Sequence, residues 1–260
     1  MNDLERAGLS TVRLGKNHLH FDRLDSTNNY LRTHADELAD GTLVTADEQF
    51  AGRGRQGRGW VSAPGQAVCM SVLLRVSVRM PLTWLPLAVG LAVAEALEAL
   101  SGEACAVKWP NDVVMNHKKI CGILCESVIQ GAVRSAVCGM GTNVAQPRDF
   151  FAQSGLDHAT SILAESGRLI PPQAVICRIL EAFEPLADQL DAGETDAIRE
   201  AYCARCITLG REVRVIMGDA ERKGAAVGID PDGALLCQIG DAVRAIHSGE
   251  ASVRGLYGYV

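Results

Sequence analysis

The 260-residue sequence predicts an α+β protein in which a mixed sheet with helices is followed by a small C-terminal β domain. Three observations predict this class. Strand-like and helix-like apolar segments alternate up to Leu209, a long stretch rich in Gly, Arg and Pro interrupts them, and only short strands separated by turn residues follow Gly210. We therefore place the domain boundary near Leu209, which divides the chain into residues 1–209 and 210–260.

The first elements surround a long loop. Residues 18–24 predict a strand, after which Ser26 or Thr27 can cap a helix that runs to about Leu38. Gly41 ends that region, and residues 42–46 predict a second short strand. Residues 49–65 then form a loop of a length that, in compact domains, is usually functional or disordered.

The middle of the chain predicts most of the sheet and three helices. Strands are expected at residues 66–76, 104–109, 113–115, 119–128 and 132–140, with hairpin turns at 116–118 and 130–131. Helices are expected at residues 84–100, 172–190 and 194–206. The first of these is the one candidate membrane segment, but it is short for a span and contains Glu95 and Glu98, so a buried amphipathic helix is expected.

The C-terminal domain consists of short strands only. They are predicted at residues 212–216, 224–229, 234–238, 242–247 and 251–254, with turns at 217–219, 230–233 and 239–241. A small β-barrel is the natural closure for such strands because it removes exposed strand edges.

Composition and charge exclude several classes of protein. The 48% hydrophobic and 22% charged residues are typical of an ordinary globular protein, and the net charge of −6 argues against broad nucleic-acid binding. The nine cysteines are odd in number, lie in apolar segments and follow no secretory signal, so we expect a reducing cytoplasm. Cys203 and Cys206 have the spacing of a zinc or redox motif, but no second pair accompanies them.

Residues 52–60, here called the arginine loop, form the first functional motif. Gly52, Gly54, Gly57 and Gly59 alternate with arginines, so a backbone that permits close approach alternates with charges that do not titrate. This pattern suits phosphate groups, although by itself it also fits a solvated surface loop. The three arginines of the loop are Arg53, Arg55 and Arg58.

A second motif follows about fifty residues later in the sequence Lys-Trp-Pro-Asn-Asp, residues 108–112, and in Lys-Lys-Ile-Cys-Gly, residues 118–122. Lys119 on a strand can neutralise an acyl-phosphate and hold a carbonyl oxygen, while Asp112 can bind Mg²⁺ or orient a lysine. Lys108 and Lys118 are equally compatible with solvated strand ends, and Trp109 with the core.

The two motifs together resemble those of the biotin protein ligase family over nearly the whole chain. Ser26-Thr27-Asn28 is similar to the family's first biotin-contacting segment, and Gln49 with the arginine loop to its second. Lys119 matches the lysine that bonds the biotin carboxyl group and the acyl-adenylate, and residues 139–143 match a glycine-rich strand end. Residues 248–254 resemble the last motif, in which Arg254 would reach the nucleotide.

The resemblance implies a class II synthetase-like catalytic domain, an SH3-like C-terminal β-barrel and a set of site residues. Lys119, Arg55 and Asp112 would be catalytic. Biotin would be bound by Ser26, Thr27, Asn28, Gln49, Gly52, Arg53, Gly54, Arg55, Lys119, Gly122, Gly139 and Gly141. ATP or the adenylate would be bound by Arg53, Arg55, Arg58, Trp60, Lys108, Asn111, Asp112, Asn143 and Arg254. Asp112 is also the candidate Mg²⁺ ligand.

The reaction that the resemblance implies has two steps and needs no prosthetic group. Biotin and MgATP give biotinyl-5′-adenylate, and a lysine of a biotin carboxyl carrier domain then displaces AMP. The motifs begin at Ser26, which leaves no room for the N-terminal DNA-binding domain of some relatives, so we expect no repressor function, no DNA and no membrane partner. Family members often dimerise, which leaves a homodimer open. The alternatives are a lipoate or octanoate ligase and a non-enzymatic nucleotide or RNA-binding module.

Overall fold

The computed structural model describes residues 3–130, 133–217, 220–248, 252–255 and 259. The helices are α1 (Asp3–Arg6), α2 (Thr27–Thr33), α3 (Leu85–Ser101), α4 (Arg148–Gln153), α5 (Ile162–Ser166), α6 (Pro172–Ala192) and α7 (Asp196–Arg205). The strands are β1 (His18–Leu24), β2 (Leu43–Gln49), β3 (Ala67–Arg75), β4 (Cys105–Lys108), β5 (Asp112–Met115), β6 (Lys118–Gln130), β7 (Val133–Asn143), β8 (Glu212–Met217), β9 (Ala220–Ile229), β10 (Leu235–Ile239), β11 (Ala242–Ile246) and β12 (Ser252–Gly255). The predicted α+β class is confirmed.

Seven strands form one mixed sheet in the order β1-β2-β3-β7-β6-β5-β4. Only β1 and β2 pair in parallel among these neighbours, and the rest are antiparallel. Strand β3, third in this order, alternates between two cores: Val72 belongs to the cluster that contains residues of α3 and α6, whereas Leu73 packs with α2 on the opposite face. The sheet is therefore covered on both faces, and the shorter cover given by α2 leaves the adjoining strand ends accessible.

Helix α3 is the buried helix that the sequence predicts. Residues 82–101 are long and apolar enough to cross a membrane, but 67% of that window is buried inside the protein, so the helix serves as its core. Pro86 lies in its first turn, where a missing N–H costs nothing. Gly102, with φ of 77°, ends it in the left-handed conformation that glycine adopts most easily.

The last five strands form a separate antiparallel sheet in the order β11-β10-β9-β8-β12, as the predicted C-terminal β domain requires. Its β9–β10 turn contacts the larger domain through two tryptophans. Trp84 donates its indole N–H to the carbonyl of Pro231 at 2.7 Å, and Trp109 donates to that of Gly233 at 3.1 Å. The predicted turns at 130–131 and 217–219 include residues outside the described part of the chain.

Three details differ from the sequence prediction. Helix α2 ends at Thr33 rather than near Leu38, and turns follow it, where the guanidinium of Arg75 donates to the carbonyls of Ala35 and Leu38. Strand β2 continues to Gln49, so this residue is the end of a strand and not the start of the loop. Helices α1, α4 and α5 were not predicted; each has at most six residues.

All nine cysteines are free thiols, including Cys203 and Cys206 at the end of α7, and the expected reducing location stays a prediction. Burial raises the pKa of Cys121 to about 12, which keeps this thiol protonated beside the site.

Candidate active site

One cleft brings the two sequence motifs together. It has a volume of about 640 Å³ and opens beside the N-terminus of α2, the arginine loop and strands β4 to β7. Of the predicted site residues whose side chains the structure describes, all line it except Gly52. Those that do are Ser26, Thr27, Asn28, Gln49, Arg53, Gly54, Arg55, Arg58, Trp60, Lys108, Asn111, Asp112, Lys119, Gly122, Gly139, Gly141 and Asn143.

A chain of hydrogen bonds forms the side of the cleft at the start of α2, here called the α2 end. The amide oxygen of Gln49 accepts from the backbone N–H of Thr27 at 2.8 Å, which caps a helix whose Ser26 makes no side-chain cap bond. The hydroxyl groups of Thr27 and Ser71 share a hydrogen bond of 2.7 Å, and Ser71 donates to Asn28 at 2.6 Å. These side chains therefore hold one another in fixed orientations.

Two glycines make room for this arrangement. A Cβ atom at Gly139 would lie 1.9 Å from the amide oxygen of Asn28, and one at Gly141 would lie 2.5 Å from the indole of Trp60. A Cβ atom at a third glycine, Gly122, would lie 3.2 Å from the indole of Trp60 and 3.1 Å from the ammonium group of Lys119. The glycine-rich strand end thus accepts side chains that a larger residue would exclude.

The other side of the cleft, here called the β5 end, concentrates positive charge around one carboxylate. The ammonium of Lys119 lies 2.6 Å from one oxygen of Asp112, and the hydroxyl of Tyr259 donates to the other at 2.5 Å. The ammonium of Lys108 lies 3.5 Å from the centroid of the Tyr259 ring. Lys108 is itself buried, so it is not a solvated strand end.

The ionisation of this group follows from its contacts. Burial alone would raise the pKa of Asp112, but Lys119, Tyr259 and Lys108 together hold it below its usual value. Burial and the neighbouring Asp112 carboxylate raise the pKa of Tyr259. At neutral pH Asp112 is therefore a carboxylate and Tyr259 a neutral phenol.

The arginine loop reaches both ends of the cleft. Arg53 contacts Glu126 at the α2 end, whereas Arg55 donates to the side chain of Asn111 at 2.8 Å and to the carbonyl of Ser248. Burial lowers the pKa of Arg55, while Asp112 opposes that shift. The loop narrows into a short hairpin, in which Gly54 donates to the Arg58 carbonyl at 2.7 Å.

The remaining predicted residues have other surroundings. Asn143 is buried, donates to Thr160 and accepts from Gln146, so its side chain is engaged in local structure. Gly52 lies under Trp60, whose carbonyl oxygen would be 2.6 Å from a Cβ there. The backbone of Arg254 belongs to β12, and its side chain lies outside the described part of the protein.

Several side chains in and beside the cleft were not predicted from the sequence, among them Ser71, Glu126, His158 and Tyr259. A lone serine within an apolar strand, at the position of Ser71, is a signal that a buried partner is needed. The ring of His158 stacks on Tyr259 at 4.9 Å between centroids, and burial and Lys119 lower its pKa. Nothing local in the sequence relates these two residues, because they are distant along the chain.

The contacts of Asp112 bear on the two roles considered for it. One oxygen forms an ion pair with Lys119 and the other accepts from Tyr259, a geometry suited to orienting a lysine. That Asp112 orients Lys119, and that it binds Mg²⁺, both stay predictions. Among the described residues, the grouping with metal-ligand spacing is the exposed set His20, Asp22 and Asp47, which is not part of the cleft lining.

Two models of known protein families match separate parts of the chain. The sequence model of the biotin/lipoate A/B protein ligase family matches residues 20–143, and that of the biotin protein ligase C-terminal domain matches residues 208–254. The bifunctional ligase/repressor BirA of Bacillus spizizenii is 36% identical over 249 residues, covering 94% of this chain and 76% of that protein.

Two further relatives match over almost their whole length. The biotin–[acetyl-CoA-carboxylase] ligase of Paracoccus denitrificans is 36% identical over 228 residues, covering 86% of this chain and 95% of that one. The structure of the Aquifex aeolicus biotin protein ligase in complex with biotin and ATP is similar with a TM-score of 0.78 at 29% identity. That similarity covers 92% of this chain and 99% of the other.

Proposed function

The chain belongs to the biotin protein ligase family, and from this premise we propose that it activates biotin with ATP and transfers the biotinyl group to a carrier lysine. The observation that carries the proposal is the single cleft in which a hydrogen-bonding α2 end adjoins a cationic β5 end. A molecule with a neutral polar ring and a carboxylate fits such a pair of surfaces when the carboxylate lies towards the lysines.

The α2 end supplies the contacts for the ureido ring of biotin. Thr27, Asn28 and Gln49 present hydroxyl and amide groups, and Met70 and Ile123 add apolar lining. Because these polar side chains are already held by one another, little conformational entropy is lost when the ring binds. We propose that Ser26 and the glycines of residues 139–141 complete this subsite.

The first step joins two anions and therefore needs fixed positive charge. A carboxylate oxygen of biotin attacks the α-phosphorus of ATP, the bond to the β-phosphate breaks, and pyrophosphate leaves with the electron pair. Lys119, oriented by Asp112, would stabilise charge on the acyl oxygens, and Arg55 with Lys108 would neutralise the phosphate. We retain Arg53, Arg58, Trp60, Asn111, Asn143 and Arg254 as proposed nucleotide contacts.

The second step uses the mixed anhydride that the first produces. The ε-amine of a lysine on a biotin carboxyl carrier domain attacks the acyl carbon, an amide bond forms, and AMP leaves as the amine loses its proton. The arginine loop would limit access of water to the anhydride until the carrier arrives. ATP is proposed to enter with Mg²⁺ on its phosphates, and no step here is assigned to the metal.

Pyrophosphate release from ATP on addition of biotin tests the proposal, with lipoate and octanoate as parallel acids and no carrier present. Release with biotin alone is the expected result. Release only with lipoate or octanoate would contradict it and favour the second candidate, which the shared biotin/lipoate family model brings into consideration. The match of residues 208–254 to the C-terminal domain of biotin protein ligases favours biotin. Salt-sensitive RNA binding without pyrophosphate release would favour the binding module.

Three further expectations from the sequence stay predictions. A mobility-shift assay with DNA fragments, with and without biotin and ATP, checks the expected lack of repressor activity. Sedimentation at several concentrations checks for a homodimer. Cell fractionation checks the cytoplasmic location.

A further inference from the structure

We propose that Glu126 is a positioning residue that fixes the arginine loop through Arg53, an inference that rests on the proposed function of the cleft. Glu126 lies on β6, outside every sequence motif of the site. Its carboxylate is 18% exposed and is the meeting point of three side chains from two other segments. The positioning role follows from the contacts that join this carboxylate to the arginine loop and to helix α2.

Arg53 and Glu126 form a two-pronged ion pair. One guanidinium nitrogen donates to Oε2 at 3.1 Å, and the other lies 3.0 Å from Oε1. Paired hydrogen bonds of this kind fix orientation as well as distance. Arg53 donates in addition to the side-chain oxygen of Asn29 at 3.0 Å, which ties the same guanidinium to helix α2.

The carboxylate is also part of the hydrogen-bond chain at the α2 end. The side-chain amide of Asn28 donates to Glu126 at 2.9 Å and to the carbonyl of Leu124 at 3.1 Å. Asn28 in turn accepts from Ser71, which contacts Thr27 next to Gln49. A continuous set of polar contacts thus joins Gln49, just before the arginine loop, to Arg53 within it.

Fixing Arg53 fixes both arms of the loop. Arg53 forms a β-bridge with Gly59, and Trp60 donates to the carbonyl of Gly52 at 2.9 Å. Arg53 therefore holds the base of the hairpin, and Arg55, two residues further on, extends towards Asn111 at the β5 end. Arg53 would then set the place of Arg55, while its own charge is largely compensated by Glu126.

A second arginine also contacts this carboxylate. Arg32 approaches Oε1 at 3.4 Å, so two guanidinium groups face one partly buried acid. Neutralising Glu126 would leave Arg32 and Arg53 with uncompensated repulsion and remove the acceptor for both prongs. The arginine loop, which Arg53 joins to β6 and α2, would be the segment to move.

Limited trypsin digestion of the protein without ligands tests the anchor independently of any ligase activity. In Glu126→Gln we expect cleavage after Arg55 and Arg58 to be about tenfold faster than in the wild type, the factor that losing one charge-assisted hydrogen bond corresponds to. Glu98→Gln is the matched control, because it removes the carboxylate partner of Arg205 far from the loop. Equal cleavage in Glu126→Gln and wild type would overturn the proposal.

A double-mutant cycle separates positioning from general destabilisation. If Glu126 acts through Arg53, Arg53→Gln and Arg53→Gln/Glu126→Gln release bound adenylate at the same raised rate, with KM for biotin raised and the thermal midpoint retained. Additive effects of the two substitutions would refute the coupling. Absence of biotin-dependent pyrophosphate release in the wild type would contradict the proposed function instead, and the digestion result would still stand.

Discussion

The two ends of the cleft solve different physical problems. At the α2 end each polar group is paired with another: Glu126 compensates Arg53, and Thr27, Ser71 and Asn28 bond in sequence. At the β5 end Lys108 and Lys119 surround the single carboxylate of Asp112, with Arg55 approaching from the loop. The hydrogen-bonded side chains of the α2 end suit a neutral polar ring, whereas the lysines and arginine of the β5 end suit a ligand group that carries negative charge.

The difference teaches where sequence changes should act. Substitutions at the β5 end should affect the chemical step or retention of the adenylate, because charge changes there during the reaction. Substitutions at the α2 end should affect the binding of biotin with little effect on ATP. The following changes are ordered from the largest expected effect to the smallest.

Lys119→Ala removes the charge nearest Asp112 and should give the largest effect. We expect the rate of adenylate formation to fall by about a thousandfold, as when one preorganised electrostatic group is removed from an active site. Rapid-quench measurement of pyrophosphate release checks this, with Lys118→Ala as the neighbouring control on the same strand. Unchanged adenylate formation would remove Lys119 from the catalytic residues.

Gly139→Ala tests the α2 end by steric means. The new methyl group would displace the side chain of Asn28, and we expect KM for biotin to rise by about thirtyfold, which corresponds to about 2 kcal/mol for a disturbed buried polar group. KM for ATP should change little. The control is Gly228→Ala on β9, where the nearest atom would be 3.6 Å from the new carbon. An equal rise in both KM values would contradict the separation of the two ends.

Arg55→Ala tests the connection between the ends. The loss of its bond to Asn111 should speed release of the adenylate by about tenfold, because a charge-assisted contact of roughly 1.4 kcal/mol is removed. Gel filtration of enzyme loaded with labelled biotin, followed by a chase, measures the release rate. The exposed Arg79→Ala serves as the control. A release rate equal to that of wild type would show that Arg55 does not help to retain the adenylate and would leave that role to the lysines of the β5 end.

The pH dependence of stability gives the smallest effect. The pKa of His158 is lowered in the folded protein, so the unfolded chain binds more protons once the pH falls below the ordinary value of 6.5. This group therefore contributes stability at pH 7 that is lost towards acid pH. In His158→Gln the free energy of unfolding should fall less between pH 7 and about pH 5, the range in which histidine titrates. Urea titrations check it, and parallel curves for the two proteins across that range would refute the assignment.

Local patterns predicted the elements and motifs well. The sequence predicted β1 and β3 as strands and, from apolar residues on one helical face, α3 as a helix. Asn116 and His117, with φ of 49° and 63°, lie in the predicted turn at 116–118, whose third residue, Lys118, begins β6. The arginine loop and the lysine motif are local in sequence, so their residue types alone indicated phosphate and acyl chemistry. The prediction that the two motifs lie in one site depended on the resemblance to a family.

Features that depend on distant partners were not predictable. The turns after α2 are bonded by Arg75, about forty residues further along the chain, which donates to the carbonyls of Ala35 and Leu38. Glu126 gains its meaning only when β6 places it beside Asn28 and Arg53. The sequence around Tyr259 likewise indicates no role in the site, because that role depends on the hydrogen bond from its hydroxyl group to Asp112. Tertiary contact, rather than propensity, decides such positions.

The three tryptophans make the protein its own optical reporter. Trp84 and Trp109 are almost fully buried, and both bond to the β9–β10 turn, whereas Trp60 is partly exposed in the arginine loop. Emission from the buried pair reports the seating of the small sheet against the large domain, and emission from Trp60 reports the loop. In Trp60→Phe, a ligand-dependent change in fluorescence would come from Trp84 and Trp109. Because Trp109 also lines the cleft, whereas Trp84 does not, Trp84 is the tryptophan whose emission reports the contact between domains without direct contact with a ligand.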